Sequence, residues 1–210
     1  MIATTLTKNN LQVPLTREGS YRFPPDASSS KTKTDDDLAR EAAGGDTYAF
    51  EEIVRRRREG LVRFLTSFTQ SAVDAEDLAQ ETFLRAYRNL SRYDPRKPFL
   101  TWLYVIARRL AINFNRNRSR RGENQLSDTD SCEKEYATGN DLSSLWASTR
   151  KILSPDAFRA FRLHYADGMP LKEIAEVLGK TTTGTKVLLF RARRNLADKI
   201  DPHTYEPINS

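Results

Sequence analysis

Between Tyr93 and Arg121 the chain sets aromatic rings beside cations: Tyr93, Phe99, Trp102 and Tyr104, then Arg108, Arg109, Arg116, Arg118, Arg120 and Arg121. Rings of this kind stack on unpaired bases while guanidinium groups hold phosphates, so the chemistry open to this block is recognition of opened nucleic acid. The plainer alternative is a helix with core aromatics and a solvated basic end; one or two of the four rings, not all, are expected to be exposed. A second set lies in LKEIAEVLGKTTTGTKVLLFRARRNL, residues 171–196, where Lys186, Val187, Phe190, Arg191 and Arg194 share the outer side of a predicted helix. Apolar groups among cations suit a major groove, where they meet thymine methyls and arginine pairs with guanine. An ordinary helical hairpin is the competing account. A third set is Asp77, Gln80, Glu81, Leu84 and Arg88 in DAEDLAQETFLRAYRNL, residues 74–90. Asp77 and Glu81 are like charges one helical turn apart, costing roughly 0.2–0.5 kcal/mol, partly recovered by Arg85 four residues beyond Glu81. A leucine flanked by such acids serves a docking surface for a basic partner better than a solvated face. A metal-dependent nuclease built on Asp74, Glu76, Asp77 and Glu81 is the catalytic alternative, and it lacks a supporting histidine.

The elements that must carry these sets are helices. Ala75, Leu78, Ala79, Thr82, Phe83, Ala86, Tyr87 and Leu90 recur at helical spacing and form a core stripe opposite the acidic face. Leu103, Ile106, Ala107, Leu110 and Phe114 form another over about 99–118. Upstream, a helix is expected from Asp35, with Asp35, Asp36 and Asp37 at the positive end of its dipole. A further helical stretch follows Gly44-Gly45, with Phe50, Ile53, Val54, Leu61, Val62, Phe64, Leu65 and Phe68 as its apolar positions. Ser154-Pro155-Asp156 starts a helix as N-cap, N1 and first-turn acid, and Gly168 is expected to end it. In 171–196 the pattern is a helix-turn-helix: Ile174, Ala175 and Leu178 pack the first helix and Gly179 permits its tight ending. Thr181, Thr182 and Thr183 offer N-caps and phosphate donors for the second, and Leu189, Ala192 and Leu196 face inward. No repeat and no period-two strand of useful length occurs, so the predicted fold class is all-α: two small helical domains joined by an acidic linker.

With 210 residues, 38% hydrophobic and 30% charged, the chain suits a soluble protein with modest cores. No stretch approaches the ~18 apolar residues a membrane span requires, and no secretory leader is visible. Cys132 is alone, which excludes an internal disulfide, and two histidines with one cysteine argue against a zinc site. A reducing cytoplasm is the expected compartment. The net charge of +6 is segregated: residues 97–121 carry seven cations and no acid, residues 122–146 are strongly acidic, and 147–200 are basic again. Two basic blocks separated by an acidic one predict two contacts with a polyanion. Residues 1–34, with Pro14, Pro24 and Pro25 and no sustained periodicity, are expected to be disordered.

DAEDLAQETFLRAYRNL, FLTWLYVIARRLAINFNRNRSRR and EIAEVLGKTTTGTKVLLFRARRNL, in this order and spacing, resemble the extracytoplasmic-function (ECF) sigma factors of bacterial RNA polymerase. The resemblance implies sigma region 2 over 35–121, a linker over 122–145, region 4 over 146–200 and a tail over 201–210. It implies that Asp77, Gln80, Glu81 and Leu84 dock on the β′ clamp coiled coil of core polymerase, with the β flap as a further contact. Tyr93, Lys97, Phe99, Trp102, Arg108, Arg109, Asn113 and Arg116 would serve the −10 element, the loop 93–98 holding a flipped base. Thr182, Thr183, Lys186, Val187, Phe190 and Arg191 would read the −35 element. The acidic linker would lie in the polymerase cleft and RNA exit path. No catalytic residue, metal or cofactor is implied; an anti-sigma factor is a possible partner, and no membrane insertion is expected. Arg109 and Asn113 stand where many members carry Asn and Asp, so a −10 base preference does not transfer. A conventional helix-turn-helix regulator would explain 147–200 but leave Asp77, Glu81 and Leu84 without a partner.

Overall fold

Helix α1 (Asp35–Ala43) begins where three acids follow a threonine, and each acid has a different task. Thr34 is the N-cap and forms a capping box with Asp37, which reciprocally satisfies two donors left open at a helix start. Asp35 binds Arg57 of α2 (Thr47–Leu65), tethering the first two helices. Asp36 points elsewhere, as described below. Asp46 caps α2 through Tyr48 N–H and Ala49 N–H. Ser71 caps α3 (Ala72–Arg88), a short 3-10 turn follows over Leu90–Arg92, and α4 (Phe99–Arg120) carries the first basic block. The second group comprises α5 (Asp141–Ile152), α6 (Pro155–Tyr165), α7 (Leu171–Leu178) and α8 (Thr182–Ala197). This computed structural model describes residues 33–69, 71–121, 141–197 and 199. Among them all regular structure is helical. The expectations for residues 1–32, for the linker over 122–140 with Cys132, and for the tail with His203 lie outside the described residues; residues 141–145, expected to belong to the linker, instead open α5.

The predicted stripes are the observed core. Ala75, Leu78, Ala79, Thr82, Phe83, Ala86 and Leu90 are buried; Tyr87 is the exception, half exposed at the edge of the stripe with its ring tilted against Phe50 at 5.0 Å. On α4, Leu103, Ala107 and Leu110 are buried, joined by Thr101, Tyr104 and Ala111, whereas Ile106 and Phe114, expected in the same stripe, are only partly buried. Leu103→Ala is expected to cost about 2–5 kcal/mol of stability, because the side chain is fully enclosed and its cavity cannot collapse. Chemical denaturation measures this directly. Helix α6 starts at Pro155 as predicted, although Ser154 caps it through backbone geometry and not its hydroxyl; the helix ends at Tyr165, with Gly168 (φ +67°) in the turn beyond.

The two groups share one continuous core. Ile53, Leu61, Phe64, Leu103 and Tyr104 belong to the same buried cluster as Leu163, Met169, Ile174, Leu178 and Leu189. A smaller cluster of Leu153, Phe158, Ala192 and Leu196, with Trp146 against it, holds the far side of the second group. Polar contacts line the junction. Thr101 donates to Glu173 (2.5 Å), and Arg159 donates to the Ser67 hydroxyl (3.0 Å) and carbonyl (2.6 Å) while its guanidinium covers the Phe68 ring at 3.6 Å. Gly60, inside α2, gives a sequence-level reason for the fit: a Cβ there would lie 3.3 Å from both the Tyr104 hydroxyl and an Asp167 oxygen. A mid-helix glycine costs roughly 0.5–1 kcal/mol relative to alanine, and here it admits the α6–α7 turn. Burial pushes the Asp167 carboxyl above the usual range and pulls the Arg162 guanidinium below its own. Asp167 Oδ2 and Arg162 Nε have no hydrogen-bond partner within the described protein. Each such group costs about 1–3 kcal/mol, so this junction is not a fully satisfied interior.

Candidate nucleic-acid interface

On α3 the acidic face is solvent-facing along its length. Asp77 and Gln80 are exposed, Leu84 is 36% exposed, and Glu81, partly exposed, accepts from Arg85 Nε (2.5 Å). Val73, 66% exposed, extends this face one turn further; its place four residues before Asp77 was the signal available in the sequence. The nuclease alternative finds no ligand set: Asp74 faces Arg118 (3.7 Å) and Glu76 is held by Arg58 (2.7 Å). No group of three or more potential metal ligands occurs among the described residues.

The aromatic block behaves differently from its sequence pattern. Tyr93, Phe99 and Tyr104 are buried, and Trp102 alone of the four keeps part of its surface accessible. Tyr93, Phe99 and Trp102 pack on one another with centroids 5.3–5.6 Å apart. Tyr93 and Phe99 were expected to contact DNA. Their rings instead form the floor of the loop, because tertiary packing consumes large aromatic surface wherever it can be enclosed. The Tyr93 hydroxyl donates to the Lys97 carbonyl (2.5 Å), and burial and then the charge of Asp36 raise its pKa.

The loop between them is tightly built. Lys97 N–H donates to the Asp94 carbonyl (3.0 Å), closing a turn with Pro95 in its second position, where proline's fixed φ is favourable. Arg96 forks onto the Asp94 carboxylate through Nε and Nη2 (2.9 Å each), and that hydrogen bonding holds Asp94 down to about 2. Pro95, Arg96 and Lys97 are exposed on the rim. Beyond the loop, Arg109, Asn113 and Arg116 are exposed on α4. Arg108 is half buried, its guanidinium 3.1–3.3 Å from where a Gly179 Cβ would lie, so in this packing it lies against the second group.

The helix-turn-helix forms as the pattern predicts. Ile174, Ala175 and Leu178 are buried, and Gly179 ends α7 in the left-handed region at φ +62°, which a side chain rarely adopts. Thr181 is the working cap of α8: its hydroxyl accepts from Gly184 N–H (3.0 Å) and its carbonyl from Thr185. A Cβ on Gly184 would meet that hydroxyl at 3.0 Å, which accounts for a glycine early in the helix. Thr182 and Thr183 are exposed, as are Lys186, Arg191 and Arg194. Val187 and Phe190 are 41% and 64% exposed while Leu189, Ala192 and Leu196 are buried. The outward apolar pair is therefore a surface feature among the described residues.

Two family profiles match the chain. Sigma-70 region 2 matches residues 53–121 and Sigma-70 region 4 matches 152–196, together just over half of the chain. The ECF RNA polymerase sigma-E factor of Haemophilus influenzae is 29% identical over 184 residues, covering 80% of this chain and 96% of that protein. The chain belongs to the ECF sigma factors. The RNA polymerase sigma-H factor of Pseudomonas aeruginosa is 27% identical over 183 residues, covering 80% of this ECF sigma factor and 94% of the relative. Among solved structures, CnrH in complex with the cytosolic domain of CnrY matches with a TM-score of 0.57 and 28% identity over 78% of this chain and 95% of that one. The region 2 match disfavours a stand-alone helix-turn-helix regulator, which has no use for α1–α4. No described helix of this ECF sigma factor is long and apolar enough to cross a membrane.

Proposed function

We propose that this ECF sigma factor joins core RNA polymerase through the α3 face, opens the −10 element with α4 and the 93–98 loop, and reads the −35 element with α8. Asp77, Gln80, Glu81 and Leu84 meet the β′ clamp coiled coil, with the β flap meeting the second domain. Lys97, Trp102, Arg108, Arg109, Asn113 and Arg116 contact the −10 strand, while Tyr93 and Phe99 hold the loop from below. Thr182 and Thr183 bind phosphates; Lys186, Val187, Phe190 and Arg191 enter the major groove. The working domains are 35–121 and 146–200, and the protein acts in the cytoplasm without catalytic activity, metal or cofactor. An anti-sigma factor is a natural regulator: the similar sigma factor RpoE of Bartonella quintana was solved in complex with the anti-sigma factor NepR.

What carries this function is the outward pair Val187 and Phe190, left exposed among cations on the helix that also bears Lys186 and Arg191. Arg191→Ala is expected to lower −35-dependent transcription by about 1–3 kcal/mol, roughly 5- to 150-fold, with specificity relaxed at one base pair. Run-off assays on a panel of −35 variants check it. An equal loss on every sequence would assign Arg191 to a phosphate.

The packing described above constrains the mechanism. Helix α4 contacts α7, which contacts α8, so two interhelical steps of 8–10 Å bring the axes of α4 and α8 within roughly 20 Å at their closest. Two promoter elements about 25 base pairs apart are separated by roughly 85 Å at 3.4 Å per base pair. The 19 residues of 122–140, between α4 and α5, reach at most ~65 Å when extended, and the width of the two domains supplies the rest. Promoter engagement therefore requires α4 and α7 to part, freeing Arg108 from Gly179.

A further inference from the structure

The structure assigns Asp36 of α1 as the positioning residue of the promoter-opening loop, a role that rests on the −10 function proposed above. Its Oδ1 accepts from Phe99 N–H at 2.6 Å and lies 3.4 Å from the Tyr93 hydroxyl. One carboxylate therefore stands at both ends of the 93–98 loop. Helix α4 needs it there. Its N-cap is Pro98, which offers no side-chain acceptor, and an uncapped helix start leaves backbone N–H groups unsatisfied. Asp36 supplies the missing acceptor from another helix, and its negative charge sits at the positive end of the α4 dipole.

The carboxylate is itself fixed. Asp35 on one side is bound by Arg57, and Asp37 on the other is engaged by Thr34 and Arg40 (2.8 Å), so α1 cannot turn without breaking both neighbours. Tyr93, held close to Asp36, spends its own proton on the Lys97 carbonyl, and the loop is closed at that end. Asp36 lies 17 residues before the span that matches region 2, so the profile match does not cover it. It acts through the loop it holds.

Asp36→Ala and Asp36→Asn in the full chain test this, with wild type alongside. Amide exchange is expected to quicken at Phe99 and across 93–98 by about tenfold or more in Asp36→Ala, as for loss of a charge-assisted hydrogen bond, and to stay near wild type elsewhere. With core polymerase on promoters carrying each of the four bases at the captured −10 position, Asp36→Ala is expected to lose about tenfold on the preferred base and little on the others. Asp36→Asn, which keeps an acceptor for Phe99 N–H, is expected to restore most of that preference. Co-purification with core polymerase should be equal for all three. An unchanged base preference in Asp36→Ala, or an equal loss on all four bases, would overturn the assignment. If wild type itself gave no −10-dependent transcript, the −10 function would fail first, whatever the exchange rates showed.

Discussion

Glu81→Lys is expected to weaken binding to core RNA polymerase by about 10- to 100-fold while leaving helicity and promoter-element surfaces unchanged. Glu81 is partly exposed on α3 and already pairs with Arg85, so reversal leaves the added cation beside Arg85 and Arg88 on the face proposed to dock. Within the helix that costs only about 0.2–0.5 kcal/mol. Against a basic coiled coil the same change juxtaposes like charges at a partly desolvated contact, where the penalty reaches several kcal/mol. Leu84→Ser, one turn along, removes the apolar centre of the face without adding charge and should act in the same direction. Competition binding to purified core polymerase, with circular dichroism as the fold control, separates the two levels. An affinity equal to wild type would remove Glu81 from the interface.

Fastening the two domains together is expected to abolish transcription from a −35/−10 promoter. Ser67 and Arg159 face each other across the junction, with Arg159 Nη2 2.6 Å from the Ser67 carbonyl. Cysteines at these positions, with Cys132 replaced by serine, can be bridged by a short reducible bismaleimide. A chain so bridged cannot carry its α4 and α8 surfaces to sites roughly 85 Å apart. Core binding should survive, since Asp77, Gln80, Glu81 and Leu84 take no part in the contact between Ser67 and Arg159. Reduction should return activity to that of the unbridged double variant. Full activity of the bridged chain would show that the domains need not part. The incompletely satisfied pair Arg162 and Asp167 makes parting less costly than separation of an apolar interface of the same extent.

Much of this molecule is legible in its sequence because most of its information is helical periodicity. The stripe on α3, the inward and outward sets on α8, and the left-handed ending at Gly179 need only spacing and local backbone chemistry to be found. The loop aromatics are where such reasoning stops. Tyr93, Phe99 and Tyr104 sit among cations in a pattern suited to stacking, yet a core collects large rings before a surface does, and only tertiary contacts decide which remain outside. Asp36 was hidden for a different reason. Three acids in a row read as dipole chemistry, and the partner of the middle one lies 63 residues away. The packing of the second domain on the first was foreshadowed only by Gly60, a glycine inside a helix with no turn to make.

The most direct measurement is run-off transcription with purified core polymerase and this protein on promoters from its own genome. The expected result is a transcript of defined start that requires the protein, depends on both the −10 and −35 sequences, and is lost with Glu81→Lys. Tight binding to promoter DNA in the absence of core polymerase, with no transcript on adding it, would contradict the account.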